Sequence, residues 1–173
     1  MRRRLLAAAV LLCGSGCAWA QAAEKEPAAV VELGGAAAHS VNDGTSSGGP
    51  SVAVEMTPIE DRLELEAGVS TLFGRHSTEW DTDLLFKKPW TFSRSAEFMI
   101  GAGPEWVHTR SSGVRANSVA AEAVLDFMFW PGARHRLGWY LEPGYDYSFA
   151  TGHEQSVGIS GGLLTGLGKR TKD

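Results

Sequence analysis

The chain has almost no cysteine, few lysines and no long apolar run beyond its first residues. Its two cysteines, Cys13 and Cys17, lie close to the amino terminus. Loss of the leader described below leaves none, which excludes disulfides and thiol chemistry even in an oxidising compartment. No later segment approaches the roughly 20 apolar residues that a helix needs to cross a bilayer, so a helical membrane protein is excluded. Helical periodicity is missing as well, because no stretch repeats its apolar residues at three- and four-residue spacing.

The first residues read as a secretion signal over 1–20. Arg2, Arg3 and Arg4 precede a short apolar core from Leu5 to Leu12. Ala18-Trp19-Ala20 and Ala20-Gln21-Ala22 then offer cleavage after Ala20 or after Ala22. Gly14 stands where a lipidated Cys17 would have an aliphatic residue, which argues against a lipid anchor. Cleavage removes three arginines from 16 basic residues and leaves the 20 acidic ones, for a formal charge of about −7. Such a chain is a poor partner for nucleic acid. The remaining residues fit one domain.

What the chain does have is alternation. In Val119-Ala120-Ala121-Glu122-Ala123-Val124-Leu125-Asp126-Phe127-Met128-Phe129, every second residue is apolar and the intervening set carries Glu122 and Asp126. A period of two places successive side chains on opposite faces of a β-strand. The same pattern predicts strands over 29–40, 51–57, 62–73, 79–87, 95–108, 119–129, 135–149 and 155–167. Pro104 and Pro143 interrupt two of them, since proline removes a ladder donor. The intervening segments 41–50, 74–78, 109–117 and 150–154 fall at one end, and 58–61, 88–94 and 130–134 at the other. An even number of hairpin-linked strands closes into an antiparallel barrel with both termini on one side. With the amino terminus in the periplasm, the first set of loops is extracellular and holds the two longest. A polar tail, 168–173, follows the last strand.

Alternation alone does not say which face points outward. A soluble lipocalin-like barrel turns its apolar face inward around a ligand, whereas a membrane barrel turns it to lipid. Three features favour lipid. The apolar face is aromatic near the strand ends, with Trp80, Trp90, Trp106, Trp130, Trp139, Tyr145 and Tyr147, as in an interfacial girdle. The polar face is rich in small residues such as Gly34, Ala36, Gly68, Gly101, Gly138 and Gly162, which suit a crowded lumen. It also has very little lysine, although a solvated surface normally mixes both charge signs.

This pattern, over residues 28–167, resembles that of the small eight-stranded outer-membrane barrel proteins of Gram-negative bacteria. It is a likeness of pattern and not of a specific motif. That group usually ends on an aromatic residue, whereas this chain continues past Leu167 into a charged tail. The resemblance implies an all-β, eight-stranded, antiparallel up-and-down transmembrane barrel in the outer membrane, with lipids as its surroundings. It implies a structural, adhesive or narrow polar-conduit role. A soluble periplasmic lipocalin-like barrel is the first alternative and a lipid A-modifying enzyme the second.

The polar face carries the candidate chemistry. Glu97, Glu105, Glu122, Asp126, Glu142 and Asp146 lie on three consecutive strands and share that face. Facing residues on adjacent strands come within about 5 Å, so Glu105 or Glu97 is expected near Glu122 or Asp126. Carboxylates that close share a proton or recruit a cation, which makes a cation or small polar solute the expected lumen partner. The cations expected beside them are Arg62, Lys87 and Arg136, near the periplasmic ends. No catalytic residue, resident metal or cofactor is expected. His153-Glu154 lacks the second histidine of a zinc-protease helix. His39-Ser40 and His76-Ser77 are strand or loop neighbours whose side chains diverge, so neither pair is self-sufficient as nucleophile and base.

Overall fold

The computed structural model describes residues 27–132 and 134–168. The predicted signal over 1–20, its cleavage sites, both cysteines and residues 169–173 of the tail lie outside the described residues. Eight strands follow one another: β1 Ala29–Ser40, β2 Ser46–Ile59, β3 Leu63–Phe73, β4 Ser77–Ser93, β5 Ala96–Ser111, β6 Val114–Phe129, β7 Leu137–Ser148 and β8 Gln155–Leu167. Each pairs antiparallel with the next, and β1 closes on β8 to complete the barrel. Among the described residues no helix is long and apolar enough to cross a membrane.

Partner-to-partner register fixes the barrel's shape. The path starts at Val30 and runs through Glu55, Glu66 and Leu85, crosses to Gly103 in the register that Asp83↔Glu105 and Phe86↔Ala102 share, and continues through Glu122, Asp146 and Ser156, returning to β1 at Ser40, a shear of ten residues. An eight-stranded barrel with strands tilted by roughly 40° has an interior just wide enough for side chains to fill. The seam between β1 and β8 is close. Gly34 faces Gly162 across it, and a Cβ on Gly162 would lie 2.5 Å from the Gly34 Cα and against the Leu33 carbonyl. Gly162→Val is therefore expected to lower stability by about 1–3 kcal/mol through overpacking. A lower denaturation midpoint for the folded barrel would show this, and an unchanged midpoint would count against so tight a seam.

Four strands, β2, β4, β5 and β6, run further than the alternation suggests, because polar residues extend the ladders. The expected loop 109–117 is a continuous hairpin in which Arg110 pairs with Arg115 and Ser111 with Val114. Ser112 and Gly113, at φ 48° and 85°, make its two-residue turn, and positive φ at both central positions is the turn that matches strand twist. β4 likewise continues through Lys88-Pro89-Trp90, which composition reads as an interruption. Pro89 lies past the last β3 partner, Glu64↔Lys87, and pairs only with Met99 of β5. It thus occupies an edge, where proline is tolerated. Pro104 and Pro143 stay within strands at a local cost. The β4–β5 pairing lapses between Asp83↔Glu105 and Phe86↔Ala102, opposite Pro104. The β6–β7 pairing lapses between Val124↔Gly144 and Phe127↔Leu141, beside Pro143.

These extensions also remove the expected difference in loop length. The connection 130–136, at the end that holds the termini, is longer than 41–45, 74–76, 112–113 and 149–154 at the distal end. The first distal loop is held by Asp43, whose carboxylate accepts the Thr45 N–H at 3.0 Å and the Thr45 hydroxyl at 2.7 Å. Those bonds hold its pKa down at about 2.

The apolar face points outward. Leu33, Val54, Val69, Leu84, Ile100, Leu125, Leu141 and Ile159 are all exposed. Glu32, Glu55, Glu66, Asp81, Asp126 and Glu142 are buried inside. This orientation overturns the lipocalin-like alternative, in which apolar residues would line the lumen. Aromatic rings gather at both ends of the apolar band. Near the termini, cross-strand neighbours Trp90, Phe98 and Phe127 contact in sequence, and Phe129 stacks on Trp139 at 4.0 Å. At the distal end stand Phe73, Trp80, Trp106, Tyr145 and Phe149. Trp80 and Trp90 sit on one strand, ten residues apart. At ~3.3 Å per residue and a tilt of ~40° they are ~25 Å apart along the barrel axis, the height of an outer-membrane apolar band.

Trp130 corrects the expectation that it joins the outer girdle. It turns into the lumen, is 1% exposed, and stacks on His135 at 5.0 Å. With Val30, Met99, Met128, Tyr140 and Leu164 it forms an apolar plug at the terminal end of the lumen.

Candidate functional site

Strand alternation turns a row of carboxylates into the lumen, where they divide into two groups. The first surrounds Lys87. β4 projects this residue inward opposite Gly101, whose missing side chain makes room for the lysine stem. The Lys87 ammonium is fully buried and donates to Glu66, to Asp126 at 2.9 Å and to Glu142 at 2.5 Å. These acceptors come from β3, β6 and β7, so one side chain ties together widely separated parts of the wall. Glu32 and Glu55 complete the group, and oxygens of Glu32, Glu55, Glu66 and Asp126 all lie within 4.8 Å of one another.

Lys87 is the one basic side chain on the inward face among the described residues. Arg62 and Arg136, expected beside the acids, are exposed in turns. They lie outside the paired strands, so nothing directs them into the lumen. Lys87 itself belongs to the buried interior and not to the rim.

The second group lies toward the distal end. Glu105 of β5, Glu122 of β6 and Asp146 of β7 place carboxylate oxygens within 4.8 Å of one another. Asp146 accepts the Ser156 hydroxyl at 2.7 Å, and nearby Asp81 accepts the Ser70 hydroxyl at 3.3 Å. A cavity of about 70 Å³ is bounded by this group together with Asp81, Glu142 and the small residues Ala36, Ala38, Gly144 and Gly158.

The six acids singled out from the sequence thus separate three ways. Glu105, Glu122 and Asp146 meet. Asp126 and Glu142 instead bind Lys87. Glu97 lies apart, lining a cavity of about 40 Å³ at the terminal end with Glu55, Glu64 and His135. Glu32, Glu55 and Glu66 are site residues that the three-strand grouping leaves out. They were visible as acids on the polar face, but their neighbours follow from closure and shear, which hairpin spacing does not reveal.

One of the histidine–hydroxyl pairs takes a different partner. His39 Nδ1 lies 2.9 Å from Ser46 Oγ of the neighbouring strand.

No protein-family model matches the chain, and no curated protein sequence matches it. Solved structures do match in fold. Neisserial surface protein A superposes with a TM-score of 0.68 at 11% identity, over 81% of this chain and 97% of the other. The N-terminal β-barrel domain of Pseudomonas aeruginosa OprF gives 0.56 at 11% identity, over 81% and 99%. Ail, the attachment invasion locus protein of Yersinia pestis, gives 0.52 at 12% identity, over 80% and 99%. The chain therefore has the closed, eight-stranded antiparallel fold of these small barrels.

Proposed function

We propose that this protein is an outer-membrane barrel with a structural or adhesive role and no enzymatic activity. The observation that carries this reading is the exterior: a continuous apolar band between two aromatic belts on a closed, edge-free barrel. Backbone groups in such a barrel are satisfied between strands, as lipid requires. In this setting the terminal end is periplasmic and the distal hairpins are extracellular. The lumen is filled at the level of Lys87 and again at Trp130, which favours an anchored scaffold over a conduit. Cell fractionation tests the placement. The protein is expected in the outer-membrane fraction, to need detergent for extraction, and to change gel mobility on boiling. Recovery from the periplasm without detergent would overturn it.

One feature favours adhesion to an anionic carbohydrate or lipid headgroup. Arg110 and Arg115 face each other directly on the outer side of the β5–β6 hairpin, both exposed. Neither has an ion-pair partner among the described residues. Like charges directly opposite on a sheet destabilise it, and an anionic partner offsets that cost. Ail, which shares the fold, was solved with the heparin analogue sucrose octasulfate. The variant Arg110→Glu/Arg115→Glu is expected to elute from immobilised heparin at lower salt than the parent. Equal elution would remove the support for this surface.

A further inference from the structure

We propose that Glu105, Glu122 and Asp146 bind a divalent cation of calcium type in the distal half of the lumen. The inference rests on the barrel fold and is independent of where in the cell the barrel resides.

Ligand number favours calcium over magnesium. One oxygen from each of the three carboxylates lies within 4.8 Å of the others, close enough for all three to ligate one ion at Ca–O distances of about 2.4 Å. Mg²⁺ demands near-ideal octahedral order at about 2.0–2.1 Å and is usually held by only one or two carboxylates, so a site of three carboxylates suits Ca²⁺ better. Three carboxylates from three adjacent strands form an oxygen-rich, partly exposed cage, and solvent can supply the remaining ligands.

A second observation comes from β4. Asp81 lines the same cavity and is only 5% exposed. One of its oxygens accepts from Ser70, while the other is buried with no hydrogen-bond partner. A buried carboxylate oxygen without a partner is costly, and a cation in this cavity would satisfy it. The protein's own ammonium does not serve, because Lys87 is already bonded to Glu66, Asp126 and Glu142. The small residues Ala36, Ala38 and Gly158 keep the opposite wall clear. Since the site forms only when β4 to β7 are assembled, occupancy stabilises the folded barrel by mass action.

The test is titration of the detergent-folded protein with Ca²⁺, Mg²⁺ and Tb³⁺ near neutral pH. Calorimetry, terbium luminescence and the temperature at which gel mobility shifts are the readouts. Saturable single-site Ca²⁺ binding is expected, with Mg²⁺ at least roughly tenfold weaker, because it dehydrates reluctantly and seldom takes three carboxylates. Ca²⁺ should displace Tb³⁺ and raise the transition temperature. Glu122→Gln and Glu105→Gln should each weaken binding by roughly tenfold or more, since affinity follows ligand charge. Glu97→Gln, at the other end of the lumen, should bind as the parent does. Absence of saturable binding overturns the proposal, as does binding that Glu122→Gln leaves unchanged or that Glu97→Gln abolishes equally. If neither glutamine variant at positions 122 and 105 folds, the parent decides: no rise in transition temperature with Ca²⁺ overturns the site.

Discussion

Lys87→Met is expected to destabilise the folded barrel by about 3–5 kcal/mol, the usual cost of removing one partner from a buried ion pair. The wild-type ammonium is fully buried and bonds Glu66, Asp126 and Glu142. Methionine fills similar volume beside Gly101 but leaves those three acceptors, with Glu32 and Glu55 close by, without their ammonium partner. The cost is one of charge rather than packing, so it should respond to charge. Adding Glu142→Gln to Lys87→Met removes one carboxylate and should recover part of the loss. Urea titration of the folded protein, read by tryptophan fluorescence and gel mobility, measures both steps. A loss under about 1 kcal/mol, the range of an exposed pair, would mean that Lys87 does not hold the wall together.

The second large effect concerns the outer face. Leu84 is outward and 42% exposed, midway between Trp80 and Trp90 on β4. In a bilayer, Leu84→Arg is expected to cost about 2–4 kcal/mol, since charge on the lipid face is most expensive at the midplane. Val114→Arg, at the edge of the distal hairpin, should cost close to nothing. On a water-exposed surface both substitutions would fall within about 0.5 kcal/mol of the parent. Refolding the two variants into vesicles and measuring denaturant midpoints separates these cases. Equal midpoints would contradict a lipid-facing belt.

Much of this was legible in the residues. Alternation alone identifies eight strands and the two faces, because register slips by one residue would invert every face. The distribution of Trp, Tyr, Gly and Ala then points the apolar face outward. Strand ends were less legible. Thr109, Arg110, Ser111 and Arg115 have loop composition, yet Ser112-Gly113 supplies a tight turn that lets the ladder continue through them. Trp130 follows β6 in the sequence as though continuing its outer face. Beyond Phe129 the chain leaves the strand, and the ring folds inward onto His135.

The lumen shows the same limit more sharply. The meeting of Glu105 with Glu122 is a nearest-strand relation, within reach of hairpin arithmetic. The gathering of Asp126 with Glu32, Glu55 and Glu66 is not. It depends on how far the sheet shears before β8 meets β1, a global quantity that no local window carries. Gly101 opposite Lys87 is a local trace of the buried lysine, but its meaning appears only when the register of β4 and β5 is known.

The central claim is that the face carrying Leu84 meets lipid while the face carrying Leu85 lines the lumen. Spin labels at these two positions, placed through single cysteines in a chain whose Cys13 and Cys17 are replaced by serine, test it most directly. In vesicles, the label at 84 should be readily reached by dissolved oxygen and shielded from a water-soluble relaxation agent. The label at 85 should be shielded from oxygen. Free access of the water-soluble agent to position 84, matching a label in the Ser112-Gly113 turn, would contradict the account.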